Sequence, residues 1–170
     1  LIMSRILLTS FAGYPYTPSS LMPDNGLASL AGALIHAGHE VKILDYGTVS
    51  TLARLFPPGL SKRVKPLAEK LFLDGQDLAW HEKLRFLFRA WQLQRHQRKE
   101  TEVIAREVAR KAEDFSADVV GLKLWNGDGF SGSVQIAQEV KERLPDVPVL
   151  GGGPHVDYFG THILDYTEAF

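Results

Sequence analysis

The sequence predicts an α/β fold, a three-layer parallel sheet with a mainly helical insertion after the second strand. Three observations point there. Short apolar runs of strand length recur at residues 4–11, 40–44, 119–125 and 147–150. Stretches with helical spacing and glycine-rich turns separate the first from the second and the third from the fourth. Between residues 47 and 113 no strand-like run occurs.

Each element has a local cause. Ile6, Leu7 and Leu8 centre a buried strand, and the Gly-, Pro-, Ser- and Tyr-rich stretch 12–23 must be a loop. Asp24 or Asn25 then suits the N-cap of a helix. Leu27, Leu30, Ala31, Leu34 and Ile35 share one face of that helix, and Gly38 stands where a left-handed C-cap belongs. Glu40 to Leu44 makes the second strand, ended by Asp45. Strand, loop, helix, glycine and strand within about 40 residues is a βαβ unit, so the strands should be parallel.

The segment 47–113 reads as helical, broken at Pro57-Pro58-Gly59. Trp80, Leu84, Leu87, Phe88 and Trp91 recur at helical spacing and read as the core of the insertion. This segment carries 14 Lys/Arg against 8 Asp/Glu, while the rest carries 5 against 12. A basic insertion thus sits on an acidic body, and such charge is usually a solvated face. The α/β rhythm resumes with the strand Val119–Trp125, a loop through Asn126 and Gly127, a helix from Phe130 to Leu144, and a strand at Val147–Leu150. Another helix begins near His162. A doubly wound domain would add a fifth strand, so the chain reads as one domain over 1–170 and a piece of a longer protein.

Composition narrows the chemistry. With no cysteine there is no disulfide, thiolate nucleophile, iron–sulfur cluster or Cys-based zinc site within these 170 residues. A net charge of −1 predicts no nucleic-acid partner, and no apolar run is long enough to span a membrane. The absence of cysteine and of a signal-peptide pattern fits a cytoplasmic protein. No residue reads as catalytic and no set as a metal site; G-x-G-x-x-G after the first strand, the P-loop and the G-x-S-x-G elbow are all missing.

In parallel sheets, ligands bind outside the carboxyl ends of the strands, where strand order reverses. Three segments gather there: the loop from Ser10, the loop Trp125–Gly129, and Gly151-Gly152-Gly153-Pro154-His155. Glycines let a backbone approach a bulky ligand, and Trp125 offers a flat surface. The triple glycine also suits a plain tight turn. His155 suits a surface or capping role better than a ligand role. Asp45 resembles the acid that holds a ribose in dinucleotide folds, but a turn cap is the favoured reading.

Several stretches resemble the N-terminal cobalamin (B12)-binding domain of B12-binding radical SAM proteins. They are Pro23 to Leu34 with Ala37-Gly38-His39-Glu40-Val41, Ala117 to Leu122, and above all Pro148-Val149-Leu150-Gly151-Gly152-Gly153-Pro154-His155. The resemblance covers roughly 1–46 and 115–170, not the insertion. It implies a Rossmann-like, flavodoxin-like sheet that seats cobalamin against its strand ends and threads the nucleotide tail into a groove beside it. It also implies a cofactor-positioning module whose chemistry, methyl transfer or a related radical reaction, is carried out with a downstream radical SAM domain. S-adenosylmethionine and a [4Fe-4S] cluster would be held there, outside this chain. The contacts it implies are Ser10, Phe11 and Ala12, then Asn126 and Gly127, then Gly151, Gly152, Gly153, Pro154 and His155, to which the strand-end residues Asp45 and Trp125 are added. The D-x-H-x-x-G motif that supplies a lower-face histidine elsewhere is missing after the first strand, so cobalt would be held without a histidine from that loop. Two other readings stay open: a nucleotide-sugar-binding half-domain of a glycosyltransferase-like protein, and a non-catalytic interaction domain docking through its basic insertion.

Overall fold

The computed structural model describes residues 3–11, 24–125 and 127–170. Four strands, β1 (Arg5–Ser10), β2 (Glu40–Asp45), β3 (Val119–Lys123) and β4 (Val149–Gly152), form one sheet in the order β2-β1-β3-β4. Every pairing is parallel. The chain moves outward from β1 to β2 and then crosses to β3 on the other side of β1. The switch in direction therefore falls between the carboxyl ends of β1 and β3, where such sheets bind ligands.

Helices cover both faces, as the three-layer reading requires. Helix α1 (Asn25–His36) lies on one face, where Leu27 and Ala31 pack on Leu8 with Ile6, Leu34 and Val41. Asp24 is its N-cap and accepts from the Leu27 N–H at 3.0 Å. Gly38 follows its end at φ +90°, the left-handed geometry expected there. The other face carries the larger core: Leu7, Leu44, Val120, Leu122 and Val149 meet α4 (Trp80–Asp114) and α5 (Asp128–Arg143).

The segment between β2 and β3 is helical throughout, with α2 (Val49–Leu55), α3 (Pro58–Phe72) and the 35-residue α4. The break falls at Phe56-Pro57, and Pro58 opens α3, the first-turn position where proline costs nothing. Arg54 clamps α2 to α4 through ion pairs to Glu100 and Glu107 at 3.3 and 3.2 Å. Helix α4 has two parts. Ile104, Ala105, Val108, Ala109 and Ala112 are buried against the sheet layer. The first half, in contrast, pairs with α3 and is largely exposed.

Two expectations need correction. Trp80, Leu84, Leu87, Phe88 and Trp91 do not form the core of the insertion; each is more than half exposed. Helix α3 meets α4 along another line, through Lys70–Glu82 and an edge-on contact of Phe72 with Phe86, so the aromatic stripe faces outward. At the C-terminal end, β4 runs through Gly151 and Gly152, which pair with Leu122 and Lys123. A short helix α6 (Pro154–Phe159) and a 3-10 turn (Gly160–Asp165) follow, in place of one helix from His162. Pro154 sets that earlier start.

The division of α4 is directly testable. Ile104→Ala should cost about 2–5 kcal/mol by urea denaturation, since Ile104 is fully buried. Trp91→Ala should change stability by no more than about 0.5 kcal/mol.

Candidate functional site

Strand alternation builds the site. In β3, Val120 and Leu122 point into the α4–α5 core, which sends Val119, Gly121 and Lys123 to the α1 face. In β4, Val149 packs in the core and Gly151 faces Leu124 and Phe170, so Leu150 and Gly152 turn to the α1 face. That face is covered by α1 only over β1 and β2. Beside α1, over β3 and β4, lies an apolar groove of about 460 Å³.

One wall of the groove is the helix, with Leu27, Leu30 and Leu34, and the floor is Gly121, Gly152 and Leu150. Glycine keeps it open. A Cβ at Gly121 would press on Leu8, whereas a Cβ at Gly152 would meet nothing within 4 Å and project into the empty space. Leu150 and Leu30 stay 58% and 48% exposed, an apolar lining without a filling.

At its upper end the groove reaches the carboxyl rim of the sheet. Lys123 crosses the mouth there. Its Nζ donates to both carboxylate oxygens of Asp24, at 2.9 and 2.8 Å, and lies 4.6 Å from the centre of the Trp125 ring. Burial alone would raise the Asp24 pKa; the Lys123 ammonium and the Leu27 and Gly26 N–H groups outweigh it, and the net shift is downward. The pair therefore pins the start of α1 to the end of β3 at the switch point. Trp125 stands at the rim, and its indole Nε1 is shielded from solvent with no acceptor among the described residues.

The residues singled out in sequence fall into separate groups. Trp125, Gly152 and Gly153 converge on Lys123. Gly153 caps α6 at φ +96°, a conformation only glycine takes freely, and a Cβ there would crowd the Lys123 stem. Gly151 lines the groove with its backbone, while a side chain there would point to the opposite face. Pro154 starts α6, and His155 lies between Phe130 and Phe159, with ring centres 4.3 and 4.7 Å away. Gly127 precedes α5, and its carbonyl accepts from the Ser131 N–H. Ser10 is buried at the end of β1, its carbonyl accepting from the Tyr46 N–H at 2.8 Å. Phe11 is buried too: its ring lies under α5 where a Cβ on Gly132 would overlap it. Asp45 ends β2 and accepts from the Gly47 N–H at 2.7 Å, a turn cap. Ala12 and Asn126 lie outside the described residues.

Sequence reading missed Lys123 and Asp24 as a pair, and it missed Gly121. The signal was present in the alternation V-V-G-L-K, which places residues 121 and 123 on one face. Among the described residues no cluster of His, Asp and Glu has metal-binding geometry, and no helix is long and apolar enough to cross a membrane.

Comparison with known families gives one finding. The model of the B12 binding domain family matches residues 92–170, from the middle of α4 to the end of the chain. That match supports cobalamin binding. No curated protein and no solved structure matches the chain.

The Asp24–Lys123 pair sets an acid limit. A carboxylate whose folded pKa is depressed contributes stability that is full above its unfolded value near 4 and is lost as pH falls below that. Asp24→Asn keeps the helix cap but removes the charge. It should be less stable than the parent at pH 7 by about 1–3 kcal/mol, because Lys123 is left half-buried and unpaired. In urea titrations between pH 5 and 2 the gap between the two should close.

Proposed function

We propose that the chain is a cobalamin-binding module that presents its cofactor to a radical SAM domain for methyl transfer or related radical chemistry. The observation that carries the reading is the open, glycine-floored groove running to the rim at the switch point. A nucleotide tail attached to a flat macrocycle needs both a narrow apolar slot and a broad seat above it. The groove matches the first need. Trp125, Lys123 and Gly153 at the strand ends match the second, and the shielded indole N–H of Trp125 has no acceptor among the described residues.

Cobalamin would bring the cobalt-centred chemistry, and this chain would bind and orient it. Gly152 and Gly121 leave room for the tail, while Leu27, Leu30, Leu34 and Leu150 exclude water from it. Lys123, neutralised by Asp24, fixes the start of α1 at the groove mouth without adding net charge. With no cysteine in the chain, the ligands of a [4Fe-4S] cluster and the site for S-adenosylmethionine belong to the radical SAM domain. The same division of labour fits an intracellular protein.

Absorbance titration with hydroxocobalamin tests this reading. The chain should bind it, and Gly152→Val, which places a branched side chain in the open floor, should weaken binding at least tenfold. Cobinamide, which lacks the nucleotide tail, should bind parent and variant alike. A chain that binds no corrin, in either form, contradicts the proposal.

A further inference from the structure

On the opposite face of the sheet, a second cleft of about 290 Å³ opens near the same carboxyl rim, between α4 and the first turns of α5. Its floor is the Phe11 ring, the residue that follows β1. Its walls are unusually rich in neutral amides and hydroxyls. Gln94, Gln97 and Thr101 come from α4, and Ser131 and Gln135 from α5. Among the described residues the side-chain amides of Gln94, Gln97 and Gln135 have no hydrogen-bond partner, and Thr101 donates only to its own helix, at the Gln97 carbonyl.

The chemistry selects a ligand type. Each glutamine offers two donors and an acceptor, which complements another primary amide on both counts. Asp128 puts a carboxylate in the first turn of α5, at the positive end of that helix, and Arg98 stands on the facing wall. The two charges offset each other, so the lining carries no net charge and suits a neutral polar group. A neutral group carrying several primary amides matches the glutamines on both walls. The edge of a corrin ring is such a group.

Resting on the cofactor reading above, we propose that this cleft grips amide side chains at the corrin edge, so that α4 is part of the cofactor site. The tail groove and the amide cleft then lie on opposite faces of one sheet and meet at its rim. The position of the cleft also assigns a role to the long helix. The residues of α4 buried against the sheet layer all lie after residue 103, in its last third, yet Gln94, Gln97 and Thr101 all precede it.

The test compares the full chain with a Gln94→Leu/Gln97→Leu variant, which removes both amides and keeps helix propensity. Two lost hydrogen bonds should weaken binding of hydroxocobalamin roughly tenfold, read by the corrin absorbance shift and not by activity. Cobinamide keeps the edge amides, so its binding should fall by the same factor, unlike its indifference to Gly152→Val. Gln135→Leu on the other wall provides an independent variant should the double one fold poorly by circular dichroism. Unchanged affinity in the folded variants overturns the amide cleft and leaves the cofactor reading standing. A parent chain that binds neither corrin overturns both.

Discussion

A strand without side chains cannot fill the space beside it, and the structure of this site follows from that. Glycine at 121 and 152 strips one face of the β3–β4 half of the sheet, while α1 reaches only the β1–β2 half. The sheet's two faces therefore differ in kind. The α4–α5 face is closed by a continuous core from Leu7 to Val149, and the α1 face is closed on one side and grooved on the other. Gly151, one residue away, serves the first face, since Leu124 and Phe170 occupy the place its side chain would take. Consecutive glycines in one strand thus do unlike jobs, because strand alternation turns them to opposite layers.

An open groove is useful only if its walls hold still. The apolar helix α1 rests on few core residues, Leu27 and Ala31 being its buried ones. Its N-terminus is anchored instead by charge, where Asp24 caps the helix and binds Lys123 in one step. A half-buried pair of this type stabilises little compared with apolar packing, but it sets position. It also places a compact cation against the Trp125 ring, so that the mouth of the groove, the switch point and the aromatic seat are built around one lysine.

Much of this was legible in the sequence. The βαβ start, the Asp24 cap, the Gly38 stop and the parallel sheet all follow from spacing and turn chemistry, which act locally. What failed depends on partners distant in the chain. Trp80, Phe88 and Trp91 announce a helix face by their period, but the period cannot say whether anything covers it, and here α3 packs along another line. The glycines at 151 and 152 look like a turn in isolation and are held in a strand by pairing with Leu122 and Lys123, about 29 residues upstream. His155 packs between Phe159, one turn on in α6, and Phe130, which only the tertiary fold brings to it. The amides of α4 carry no signal at all until α5 stands opposite them.

A crystal structure of the chain with hydroxocobalamin would test the central claim most directly. Density for the nucleotide tail should run along Gly121 and Gly152 beneath Leu27 and Leu30, with the ring at the rim beside Trp125. A corrin bound elsewhere, with the groove beside α1 filled by solvent, would contradict it.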